Sequence, residues 1–114
     1  MNVIHMTPGE YIAYETTKKS IVFGDEDLSI NLKNREQDEK VTIDVCFDRD
    51  GNLTMGTAAG LHYVAQVEIP PRQYKEVEQE NPDYEEGGEA PATITVLEPV
   101  AFDIDNCTLY LWSI

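Results

Sequence analysis

The chain has 114 residues, 41% hydrophobic and 26% charged, which is the length of one domain and enough for one hydrophobic core. Eight Lys and Arg against 22 Asp and Glu give a formal charge of −14, a field that repels nucleic acid and anionic lipid over a Debye length of about 8–10 Å. No apolar run approaches the roughly 18 residues of a membrane helix, and Met1 to Met6 lack the basic and apolar parts of a secretory signal, so a soluble, cytoplasmic protein is expected.

In chain order, Thr7-Pro8-Gly9-Glu10 fits a helix capping box, with Thr7 as N-cap and Pro8 at the first helical position. Tyr11 to Thr17 is rich in β-formers, so residues 8–17 suit one short helix or a strand equally well. Ser20-Ile21-Val22-Phe23 and the alternating Leu28-Ser29-Ile30-Asn31-Leu32 flank the turn-like Gly24-Asp25-Glu26-Asp27, which predicts a hairpin. Asn34 to Glu39 is a charged connection. In Val41 to Phe47 every second residue is apolar, the period of a half-buried strand. The polar Asp48-Arg49-Asp50-Gly51-Asn52 then leads into Leu53-Thr54-Met55, so residues 40–57 form a second hairpin.

Gly56-Thr57-Ala58-Ala59-Gly60 lacks the lysine and strand-to-helix setting of a phosphate loop and reads as a hinge. Tyr63, Ala65, Val67 and Ile69 alternate with Val64, Gln66 and Glu68 as another strand, ended by Pro70-Pro71. Arg72 to Val77 suits an exposed edge strand. Residues 76–91 carry Glu76, Glu78, Glu80, Asp83, Glu85, Glu86 and Glu89 with no positive charge, broken by Asn81-Pro82, Gly87-Gly88 and Pro91, and are expected to form a mobile acidic loop. Thr93 to Leu97 is a further strand. Cys107 to Ile114 is apolar on both alternating faces, as a central strand or one covered on both sides is. The whole reads as one all-β domain, a small antiparallel sandwich or barrel of about six to nine short strands.

Candidate chemistry is sparse. Asp48, Asp50 and Asn52 have the D-x-D-x-N spacing that opens calcium loops, but Leu53 and Ala59 stand where that loop needs glycine and a bidentate glutamate. An ordinary hairpin turn accounts for the same residues. Asp103 and Asp105 share a strand-like stretch, and Asp105-Asn106 reads as a turn. His5 and His62 have no ligand partner at metal spacing. Cys46 and Cys107 lie within apolar strands and read as buried, reduced thiols rather than nucleophiles. Tyr84, ringed by Asp83, Glu85 and Glu86, resembles an interface anchor, whereas Trp112 reads as core.

No motif calls for a cofactor, and no constellation of oriented polar groups calls for catalysis. The composition therefore points to a non-catalytic interaction or structural module that presents an acidic surface, with Glu80, Asp83, Tyr84, Glu85 and Glu86 foremost, to a basic protein partner. The sharper form of this reading is a protein that fills a basic groove as nucleic acid does. Two alternatives are a small β-domain that binds a ligand or a cation at Asp48, Asp50 and Asn52, and a subunit of a homo-oligomeric β assembly joined through edge strands.

Overall fold

The alternating segments all become strands in the computed structural model, which describes residues 1–56 and 62–114. Among these residues there are ten strands, two short 3-10 turns at Lys33–Arg35 and Ile104–Asn106, and no α-helix. The strands are β1 (Asn2–His5), β2 (Tyr14–Thr16), β3 (Ser20–Phe23), β4 (Leu28–Asn31), β5 (Val41–Phe47), β6 (Leu53–Met55), β7 (His62–Ile69), β8 (Tyr74–Glu80), β9 (Thr93–Pro99) and β10 (Thr108–Leu111). This chain of one domain's length divides into two compact units, Met1–Pro71 with Phe102–Ile114, and Arg72–Ala101. The hinge read at Gly56 to Gly60 lies, from Thr57 onward, outside the described residues.

The first unit holds a five-stranded sheet in the order β1-β10-β7-β5-β6 and a three-stranded antiparallel sheet β2-β3-β4. Both sheets bury one face in a common core. Ile21, Phe23, Ile30 and Leu32 come from the smaller sheet and its end, and Ile43, Val45, Val67, Ile69, Leu109 and Leu111 from the larger. Alternation dictates which residues these are, because every second side chain of a strand shares a face. Both expected hairpins form, β3 with β4 and β5 with β6. The last strand is central as its two-sided apolarity implied, with β1 on one side and β7 on the other.

In the first unit one open alternative is decided and two strands depart from the sequence reading. First, residues 8–17 contain no helix. Gly9 takes φ +133°, and the Thr7 hydroxyl, instead of capping, donates to Ser113 Oγ (3.0 Å) and accepts from the Ser113 amide (2.8 Å). With the amide of Ile114 donating to Glu10 O (2.8 Å), this segment is tied to the C-terminal residues, and Tyr14–Thr16 pairs with β3. A capping box contributes only about 1 kcal/mol, which long-range pairing outweighs.

Second, Asn2–His5 forms a strand whose partner β10 lies over a hundred positions away and runs parallel to it. Its sequence has no alternation between buried and exposed residues, since all four are exposed. The strand count therefore exceeds the six to nine expected. Third, β7 carries a bulge. Val45 pairs with Ala65 but Cys46 pairs with Tyr63, so Val64 is the extra residue. Val64 and Ala65 are consecutively buried, and Tyr63 turns away from the face it was assigned with Ala65 and Val67.

The second unit is the antiparallel hairpin of β8 and β9, running in register from Tyr74–Pro99 to Glu80–Thr93. The acidic segment expected to be loop throughout residues 76–91 is thus strand as far as Glu80. Cross-strand hydrogen bonding with the β-branched Thr93-Ile94-Thr95-Val96 overrides the poor strand propensity of glutamate.

Leu109 is wholly buried beneath the larger sheet, paired with Val67 on one side and Val3 on the other. Leu109→Ala is expected to cost about 3 kcal/mol, measured as a fall in the urea midpoint without a change in slope.

Candidate functional site

The two faces of the β8–β9 hairpin differ in kind. Residues directly opposite across an antiparallel ladder share a face, so Lys75, Val77 and Gln79 stand with Glu98, Val96 and Ile94. On this side Val77, Ile94, Val96 and Glu98 are half-buried, and Gln79 Nε2 donates to Glu98 Oε1 (3.3 Å). The other side carries Glu76, Glu78 and Glu80 opposite Leu97, Thr95 and Thr93. None of those partners is a cation. Three carboxylates therefore line one strand at about 6.8 Å intervals, twice the rise per residue, beside a Leu97 that is 66% exposed. Residues 72–101 hold two basic and eight acidic side chains, a net −6 within 30 residues, against −8 for the remaining 84.

The connection from Asn81 to Ala92 continues this charge and is organised by one side chain. Asn81 Oδ1 accepts the Asp83 amide (2.9 Å), and its Nδ2 donates to Pro91 O (2.9 Å). The backbone of Asn81 receives the Tyr84 amide and donates to Ala92 O (3.0 Å), while Gly88 N–H donates to Glu85 O. Asparagine at this position closes an Asx turn and clasps the far side of the connection at once. The predicted residues Glu80, Asp83, Tyr84, Glu85 and Glu86 are thereby brought onto one hairpin and are all exposed, Tyr84 at 46%. What the sequence reading missed is the Glu76/Glu78/Glu80 stripe. Its signal was present in the i, i+2 spacing that continues the strand from Tyr74.

The Asp48-Asp50-Asn52 triplet lies in the β5–β6 turn. Asp48 Oδ1 accepts the amides of Asp50 (2.8 Å) and Asn52 (3.0 Å), and the main chain closes from Asp48 N to Asn52 O and from Gly51 N to Asp48 O. Gly51 takes φ +77°, the left-handed value such a turn needs. Asp48 Oδ1 is thus engaged by two amides, as in a self-capped turn. Among the described residues no group of three or more His, Cys, Asp and Glu side chains gathers to hold a metal ion.

Polar groups elsewhere are also committed to structure. Asp44, Gln66 and Tyr110 form one row across the exposed face of the larger sheet. Asp44 Oδ1 accepts from Gln66 Nε2 (3.1 Å) and from the Tyr63 hydroxyl, which the bulge has brought to this face. Glu68 accepts from the Tyr110 hydroxyl (3.0 Å) and pairs with Lys40 (3.2 Å). Burial first, and then the bond to Asp44, hold the Tyr63 hydroxyl well above its ordinary value; the bond to Glu68 raises that of Tyr110. Both phenols stay protonated donors. Trp112, expected in the core, is half-buried and meets Tyr63 edge-on at 4.6 Å.

The thiols and imidazoles do not meet. Cys46 and Cys107 are free and buried. Desolvation pushes the Cys107 thiol up to about 11 and raises that of Cys46 as well. His62 is paired with Phe47 rather than Cys46, and its Nε2 donates to Ser113 O (3.2 Å). His5 stacks on Tyr11 at 4.2 Å. Asp103 caps the last 3-10 turn by accepting the Asp105 amide (3.0 Å), and Asp105 Oδ1 lies 3.3 Å from the Met1 amine. No helix among the described residues is long and apolar enough to cross a membrane. No protein-family profile, curated protein or solved structure matches the chain.

Removing the Asp48 acceptor leaves two turn amides without their partner. Asp48→Ala is expected to lower stability by about 1 kcal/mol, and millimolar calcium to leave the melting temperature of the unaltered protein where it is. A calcium-dependent rise that Asp50→Ala abolishes would instead identify a bound cation.

An unfolded cysteine loses its proton near pH 9.0, whereas folded Cys107 keeps it until about 11. Between those values the unfolded state binds fewer protons than the folded one, so stability falls as pH rises. The melting temperature is expected to decline from about pH 9 upward, and less steeply in Cys107→Ala.

Proposed function

We propose that this chain is a non-catalytic interaction module that presents the acidic face of its β8–β9 hairpin to a basic protein surface. The observation that carries the reading is the row of Glu76, Glu78 and Glu80 with no cation opposite, continued around Tyr84 by Asp83, Glu85 and Glu86. Carboxylates repeated at a fixed interval on a strand offer lysine and arginine side chains a regular track of acceptors, and exposed Leu97 and Tyr84 add apolar contact. Long-range attraction from a net charge of −14 speeds encounter with such a partner and disfavours nucleic acid. In its sharpest form the reading is of a protein that occupies a groove built for the phosphate backbone. The buried free thiols suit a reducing, cytoplasmic setting.

The reading is tested by capture from lysate at low and high salt, followed by titration of the captured protein. Binding is expected to be strong at low salt and lost at high salt. Glu76→Gln, Glu78→Gln and Glu80→Gln together should weaken it by about tenfold, with the far-ultraviolet spectrum unchanged. Affinity equal in the triple variant and the parent, or binding insensitive to salt, removes the role assigned to the hairpin.

A further inference from the structure

We infer that β1 is a self-association edge, on which β1 of a second copy of this chain adds antiparallel across a two-fold axis and joins the two five-stranded sheets. β1 ends its sheet, with β10 on one side only. The amides of Asn2 and Met6 donate inward to Cys107 O (2.9 Å) and Leu111 O (2.8 Å). N–H and C=O of a strand residue point to the same side and alternate along the chain, so those of Val3 and His5 face outward. An open edge of this kind accepts an extended strand and little else.

The other edges are guarded, and this one is not. β2 carries Glu15 and is followed by Lys18-Lys19, β4 follows Asp25-Glu26-Asp27, β6 is three residues long, β8 carries Lys75 and three glutamates, and β9 follows Pro91 and ends at Pro99. Charges, prolines and short length are the means by which sheets block edge pairing. Asn2-Val3-Ile4-His5 has no charged residue, no proline and no bulge, and Val3, Ile4 and Met6 are 38%, 44% and 49% exposed.

The register and the charge both select a second copy. A two-fold axis through Ile4 sets Val3 opposite His5 twice, each pair exchanging both N–H···O bonds through its outward groups. It also brings Ile4 against Ile4 and Asn2 against Met6, so uncharged side chains meet. Two molecules of net charge −14 repel over most of their surfaces, but Met1 to Gly9 contains no Asp or Glu.

Sedimentation equilibrium from micromolar to millimolar protein is expected to show the mass rising from 12.9 kDa to twice that value. Over the same range, amide exchange at Val3 and His5 should slow relative to that of the exposed turn residues. Val3→Pro removes an outward N–H and leaves the inward ladder to β10 intact, and Ile4→Lys sets two ammonium groups face to face. Each should raise the dimer dissociation constant at least about tenfold. A mass of 12.9 kDa at every concentration overturns the inference. So does a dimer that survives both substitutions, or exchange at Val3 and His5 that is independent of concentration in the unaltered protein.

Discussion

The first unit depends on one strand being paired on both sides. β7 bonds to β5 along one edge and to β10 along the other, and every buried side chain of the larger sheet is placed by those two registers. Ala65, Val67 and Ile69 set the inner face, with Val45, Ile43 and Val41 opposite on β5 and Leu111 and Leu109 on β10. A slip of one residue in either register would exchange the buried and exposed rows. The bulge at Val64 uses that same constraint locally. It buries two consecutive residues and delivers Tyr63 to the outer face, where Asp44 receives its hydroxyl.

That arrangement commits polar groups of the larger sheet and its turns to structure. Asp44 and Glu68 accept from tyrosine, glutamine and lysine, Asp48 and Asp103 close turns, and the histidines stack or bond to the main chain. The thiols lie in the core with their ionisation suppressed by burial. These side chains hold the scaffold, and the carboxylates that hold nothing are concentrated in the hairpin. The electrostatic asymmetry between the two units is one of composition, eight acids against two bases in residues 72–101, and the β8 stripe faces threonine and leucine.

Edges complete the physical picture. Ten short strands in three sheets among the described residues leave many edges to protect, and charge, proline and short length protect most of them. β1 is the exception, because its sequence is nearly neutral and its hydrogen-bonding partner β10 is itself apolar. Neither β1 nor the rest of Met1 to Gly9 contains an acidic residue, so the repulsion that a net charge of −14 sets up between copies is weakest there.

Much of this was legible in the sequence because it is local. Period-two alternation marked β4, β5 and β7, the Gly-Asp-Glu-Asp and Asp-Arg-Asp-Gly-Asn turns joined two hairpins, and the two-sided apolarity of residues 107–114 pointed to a central strand or one covered on both sides. The concentration of charge between residues 76 and 91 was equally plain. Tertiary structure alone decided what depends on distant partners. Thr7 abandons a helix cap because Ser113 offers both a donor and an acceptor, and β1 exists because β10 provides a ladder. Likewise Glu76, Glu78 and Glu80 become a strand face because β9 pairs with them. The bulge at Val64 inverts Tyr63 because two neighbouring strands fix its register. In each case the local preference is about 1 kcal/mol or less, and a set of long-range hydrogen bonds with buried side chains exceeds it.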